Sequence, residues 1–241
     1  MDAKTETLAP AAQLARANPM RIPNESPEYR TARTALLAQE IELRRQIERV
    51  AAQRRALPPG GPVTGDYRFE GEAGPTDFAG LFGDKQTLIV YSFMFGPERE
   101  RPCPMCTNLL GPLNANATDI TQRVALAVLG RSKVDRQLAF AQERGWHALS
   151  FIQTVGDDYA RDFSGLDPET GSEWPVLAVF HKEGVGVDAT VRLFWKGEMT
   201  GEMADEGKDP RGGPDFAPLW TALDLTPEGR GEKWYPKLNY S

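Results

Sequence analysis

TLIVYSFMFGPERERPCPMC, residues 87–106, is the stretch that decides the fold. Residues 87–95 form a nearly continuous apolar run of strand length, the pattern of a central strand covered on both faces. A seven-residue connection, 96–102, follows, and Pro104 opens a helical pattern, so the quartet Cys103-Pro104-Met105-Cys106 sits where a loop enters a helix. These are the only two cysteines among 241 residues. One helical turn brings two such sulfurs within bridging distance, and a CxxC beside a βαβ pattern reads as a redox pair. At the helix N-terminus, unpaired backbone N–H groups and the macrodipole favour thiolate over thiol at Cys103. A pKa drawn from about 8.5 into the range of roughly 3.5 to 7.5 makes that sulfur a nucleophile near neutral pH.

Downstream, residues 124–129 predict a second buried strand, 133–144 a helix closed by Gly145, and 148–152 a third strand. Strand, helix, strand, helix, strand implies a parallel sheet with helices on its faces. Pro175 opens a strand over 176–180, and 191–195 returns as its antiparallel partner after a glycine-containing turn. A loop rich in Gly and acidic residues, 197–213, then leads to a helix around 216–223. Upstream, 67–69 predicts a short strand and 77–82 a short helix ending at Gly83.

The outer segments differ in style. Residues 1–25 carry few large apolar groups to offset their ordering entropy, which predicts a mobile tail. At Ser26 a cap, Pro27 at the first helical position and Glu28 in the first turn start an amphipathic helix over 26–57, stopped by Pro58, Pro59, Gly60 and Gly61 of a linker, 58–66. Leu36, Leu37, Ile41, Leu43, Ile47 and Val50 recur at three- and four-residue steps, predicting an arm that packs on its own domain or forms a homodimer. Its arginines alternate with Glu40, Glu42 and Glu48, and the cancelled field favours a salt-bridged solvated face over nucleic acid or anionic lipid. The main domain spans 67–225, and the tail 226–241, rich in Pro, Gly and charge yet carrying Trp234 and Tyr235, is expected to dock on the domain or a neighbour.

Composition bounds the function. A hydrophobic fraction of 40% with 26% charged residues is that of a soluble globular protein, and no run approaches the roughly 18 apolar residues of a membrane span. Net charge of -6 argues against general nucleic-acid affinity. Residues 1–10 hold one Lys and no apolar stretch behind it, so a cytoplasmic, reducing setting is expected, where a CxxC serves catalysis or metal binding more often than as a staple.

Together, Cys103 to Cys106 behind a buried strand, the run VALAVLGRSKVDRQLAFAQERGW over 124–146, and Trp174-Pro175 before a strand resemble the thioredoxin-like superfamily and its peroxiredoxin-like branch. The pieces YRTARTALLAQE, RRALPPG, LIVYSFMFGP, CPMC, RGWHALSF and ALDLTPEGR resemble more closely the bacterial thioredoxin-like family known as domain of unknown function number eight hundred and ninety-nine. The resemblance implies an α/β thioredoxin-like fold, a central mixed sheet flanked by helices, carrying a long N-terminal helix. It also implies that Pro175 opens its strand through a cis peptide bond facing the cysteine pair, a trans proline opening an edge strand being the ordinary alternative; Trp174 would then be a wall for substrate or a filler of the core. Two departures stand out: peroxiredoxins place Thr or Ser three positions before the reactive cysteine, where this chain has Glu100, and the related family often has His where this chain has Ser92.

On this reading Cys103 attacks and Cys106 resolves. Arg131, at the carboxyl edge of the second strand, is expected to stabilise thiolate at Cys103 or to be an exposed helix-flanking residue; Arg99 and Arg101 on the loop are further candidates. Zinc would have to add His147 and His181 to the two sulfurs, at no finger-like spacing, and Asp157, Asp158 and Asp162 lack the alternation of a cation loop. The leading expectation is a thiol-disulfide oxidoreductase that needs no cofactor, only a protein or small-molecule disulfide substrate and an external thiol reductant. A peroxide reductase using Cys103 and a non-catalytic binding or oligomerisation module are the alternatives.

Overall fold

A computed structural model describes residues 8–184, 189–198, 206, 237 and 238. The loop predicted over 197–213 lies largely, and the helix over 216–223 wholly, outside the described residues, as does the tail 226–241 apart from Lys237 and Leu238. The chain divides into two units, Met1–Pro58 and Pro59–Ser241. Within the first, α1 (Ala11–Ala17) packs on α2 (Pro27–Arg55). A helix at α1 departs from the tail predicted there. Its buried side chains are Ala11 and Ala15, one turn apart, small enough to let two backbones approach, and Arg45 of α2 donates to the Ala9 carbonyl at 2.7 Å. The start of α2 follows its sequence signals: the Ser26 hydroxyl accepts the Tyr29 N–H at 3.1 Å, and Pro27 lies in the first turn, where a missing N–H costs nothing.

Among the described residues, the second unit is built on a sheet of seven strands. Its elements are β1 (Arg68–Gly71), β2 (Gly74–Asp77), β3 (Thr87–Phe93), α3 (Pro104–Thr121), β4 (Ala125–Gly130), α4 (Val134–Glu143), β5 (Phe151–Val155), α5 (Asp158–Asp162), β6 (Val176–Glu183) and β7 (Thr190–Lys196). The spatial order is β2-β1-β5-β4-β3-β6-β7. Parallel pairing joins β3 to β4 and β4 to β5, while β6 and β7 extend the sheet antiparallel on the other side of β3. A βαβαβ unit continued by an antiparallel hairpin is a thioredoxin-like fold, and the apolar run is its interior strand. β2 escapes sequence reading because in GPTD only Thr76 favours a strand, beside Gly, Pro and Asp, which disfavour one; as an edge strand it tolerates Pro75. The helix expected over 77–82 is reduced to a 3-10 turn at Gly80–Phe82. Gly145, at φ +69°, ends α4 in the left-handed region open to glycine.

Alternation along β3 divides the core. Tyr91 and Phe93 face α3 and α4, packing with Cys106, Leu110, Leu113, Phe140 and Trp146, whereas Leu88 and Val90 face an aromatic cluster of Tyr67, Phe69, Phe78, Tyr159 and Phe180. Phe180 is fully buried, with its ring 4.8 Å from that of Phe78 and 5.1 Å from that of Phe163. Truncating it leaves a cavity between β6 and these rings. Phe180→Ala is expected to lower the stability of this unit by about 3 to 5 kcal/mol, read as a lower urea midpoint with an unchanged slope.

Candidate active site

After β3 the chain loops through 96–102 and returns, and the Cys103 N–H donates to the Met94 carbonyl at 3.1 Å. That bond sets the CxxC over the carboxyl end of the central strand. Cys103 is the N-cap of α3 with extended backbone (φ -60°, ψ 127°), and Pro104 follows in the first turn. Thr107 returns both its N–H and its hydroxyl to the Cys103 carbonyl, each at 3.0 Å. Both cysteines are unbridged; Cys103 is half-buried, whereas Cys106 is 1% exposed and belongs to the core beneath α3.

The two sulfurs titrate in opposite directions. The Cys106 thiol donates a hydrogen bond to Cys103, and the N–H groups of Cys106 and Met105, with the charge of Arg99, add to it; partial burial opposes them, and the Cys103 pKa falls from 9.0 to about 6. Cys106 is pushed up by that same hydrogen bond, then by burial and by the Cys103 charge. Tyr91 of β3, buried behind the pair, directs its hydroxyl at the Cys106 sulfur and works against that rise. Burial first, and then the two sulfurs, hold the Tyr91 phenol well above its ordinary value, so it remains a donor.

Arginines fasten the loop that presents this site. Arg136 of α4 donates to the carbonyl of Arg99 at 2.6 Å and of Glu100 at 3.3 Å, with its guanidinium 4.7 Å from the centre of the Phe95 ring. Arg101 forms a two-pronged pair with Glu143, one contact at 2.8 Å. Arg99 donates from Nε to Glu173 at 2.8 Å, and the same carboxylate accepts the Gly96 N–H at 3.1 Å and approaches Arg131 at 3.5 Å. Glu173 presses so close that a Cβ at position 96 would overlap its carboxylate.

Cys103 and Cys106 are thus together as the sequence predicts, and the cis peptide bond expected at Pro175 needs correction. Arg131 is not an exposed flanking residue: its side chain is 20% exposed, with Nε held by Asp157 at 2.9 Å and Nη1 3.5 Å from Glu173, and among the arginines it is the charge of Arg99 that adds, after the hydrogen bonds, to the lowering of the Cys103 pKa. The Trp174–Pro175 peptide is trans, and Pro175 is exposed before β6. Trp174, 54% exposed, stands at the surface rather than in the core. Among the described residues no group of three His, Cys, Asp or Glu side chains could hold a metal: His181 bonds Thr87 at the far end of β3, His147 is exposed, and Asp157 and Asp158 are paired with Arg161 while Asp162 accepts from Tyr67. Sequence reasoning missed Tyr91 and Glu173. The first could have been found from alternation, which sets Tyr91 on the same face as Phe93; no local pattern marks the second.

Among solved structures, the chain is similar to the peroxidoxin BcpB from Mycobacterium tuberculosis, at 17% identity and a TM-score of 0.40, covering 52% of this chain and 79% of that one. It is also similar to a hypothetical protein from Sinorhizobium meliloti 1021 (17% identity, TM-score 0.41, 75% of this chain and 91% of that one). A third is the pneumococcal exposed lipoprotein thioredoxin Etrx1 from Streptococcus pneumoniae (11% identity, TM-score 0.40, 67% and 100%). No curated protein matches. The family described as bacterial protein of unknown function, DUF899, matches over residues 19–240, nearly the whole length, and the chain belongs to it.

Proposed function

We propose that the protein is a thiol-disulfide oxidoreductase working through Cys103 and Cys106. The observation that carries this reading is the asymmetric pair: an accessible sulfur at a helix N-terminus, its pKa lowered to about 6, hydrogen-bonded to a buried thiol whose pKa is raised. At pH 7 a thiol of pKa 6 is about nine-tenths ionised, against about one-hundredth for one left at 9. In the reduced protein the Cys103 thiolate attacks a disulfide R–S–S–R′, forming Cys103–S–S–R and releasing R′S⁻. The Cys106 thiol then loses its proton and attacks the Cys103 sulfur, giving the Cys103–Cys106 disulfide and R–SH. Two electrons pass from the protein to the substrate, and an external dithiol restores them.

Each sulfur has its own test. The rate of Cys103 alkylation by iodoacetamide, read by peptide mass spectrometry, is expected to rise with pH through a midpoint near 6 and level off by pH 8, because the reactive form is the deprotonated one; a midpoint near 9 would remove the proposal's basis. Cys106→Ser is expected to accumulate the mixed disulfide with a small aromatic disulfide, whereas Cys103→Ser forms none. Tyr91→Phe removes the hydroxyl that favours thiolate at Cys106, so the first attack should proceed and its resolution slow several-fold, seen as a transient mixed disulfide in stopped-flow mixing. Peroxide reduction would draw on the same thiolate, but Glu100 puts a carboxylate where that chemistry uses a hydroxyl; hydrogen peroxide consumption outpacing disulfide reduction would overturn the order of the two readings.

A further inference from the structure

Glu173 has no part in the exchange chemistry, yet its side chain is 8% exposed and surrounded by donors from three places in the fold. Gly96, at the start of the CxxC loop, gives its N–H at 3.1 Å; Arg99, within that loop, gives Nε at 2.8 Å; Arg131, beyond β4, approaches at 3.5 Å. A carboxylate taken this far out of water persists only if its oxygens are matched by charge and hydrogen bonds, and here Arg99 supplies a large share. Arg99 itself is 36% exposed. Without a partner, its long side chain gains rotamer freedom and hydration by swinging outward, away from the sulfur. Arg131 sharpens the point, because removing the carboxylate would leave two guanidinium groups facing each other across its place.

Resting on the redox reading above, we infer that Glu173 is a positioning residue for the nucleophile: it holds the Arg99 guanidinium where its charge acts on Cys103. The sign of its effect is then opposite to what its own charge would give. A negative group near a thiolate disfavours ionisation through space, so deleting that charge alone would ease deprotonation. Deleting an anchor that keeps a cation in place does the reverse. The other charged and titratable groups on the elements packed there are placed separately: Cys106 of α3 and Tyr91 of β3 form the sulfur-side chain of hydrogen bonds, Arg101 is paired to Glu143 of α4 and feels the charge of Glu100, Glu98 and Glu100 of the loop are exposed, Arg136 is bound to loop carbonyls, and Arg131 is held by Asp157.

The test is the pH profile of Cys103 alkylation in the full-length reduced protein, with iodoacetamide as probe and the adduct read by peptide mass spectrometry. Glu173→Gln should displace the midpoint upward, so that at pH 5.5 alkylation, relative to the variant's own rate at pH 9, is about threefold slower than in the parent, the effect of about half a pH unit. Arg99→Gln should give the same displacement, and the double variant no more than either alone, because both remove one interaction. Glu173→Asp keeps the charge but draws it back by one methylene and should move the midpoint in the same direction by less; it also serves if the glutamine variant does not fold. A midpoint that stays put or moves down in Glu173→Gln, or displacements that add in the double variant, would overturn the inference while leaving the redox reading intact. A parent midpoint near 9 would overturn both.

Discussion

The hydrogen bond from the Cys103 N–H to the Met94 carbonyl, 3.1 Å long, is the constraint on which the site depends. It closes the loop that leaves β3, so that α3 begins directly over the end of the central strand. Everything reactive follows from that closure. Cys103 becomes the N-cap, the N–H groups of Met105 and Cys106 point at its sulfur, and Cys106 is carried one turn further into the core beside Tyr91. A helix N-terminus offers such unpaired donors anywhere; here a strand end presents them at a fixed height above the sheet.

The same closure explains why so many arginines surround a loop of seven residues. A connection leaving an interior strand exposes carbonyls that no ladder satisfies, and Arg136 takes those of Arg99 and Glu100, while Arg101 and Arg99 reach carboxylates on α4 and ahead of β6. Most of these pairs are partly exposed, so each contributes little to stability by itself. Their effect is geometric. Fastened at both ends and in the middle, the loop keeps one path from the end of β3 to the start of α3.

Much of this was legible in the chain. The run 87–95 read as an interior strand because it is apolar on both faces, and it lies between β4 and β6 with buried residues on each side. Ser26 and Pro27 marked the start of α2, and Gly145 the end of α4, because caps and left-handed turns are local demands met by local residues. Where the reading failed, the cause was tertiary. Ala11 and Ala15 make a helix only against α2, GPTD becomes β2 only by pairing with β1, and Arg131 is turned aside by Asp157 and Glu173, which lie 26 and 42 residues further along.

By itself, then, the sequence determined the strand-helix-strand-helix-strand order from β3 to β5, the parallel sense of those strands, and the presence of a cysteine pair at a helix start, since these follow from periodicity, connection length and the chemistry of neighbours within a turn. Only the tertiary structure decided which arginine of the loop pairs with Glu173, that Tyr91 backs the second cysteine, and that Glu173 anchors the loop. Charge and hydrogen bonding fall off over a few ångströms of space, and residues 74 positions apart, such as Arg99 and Glu173, become neighbours only when the sheet has formed.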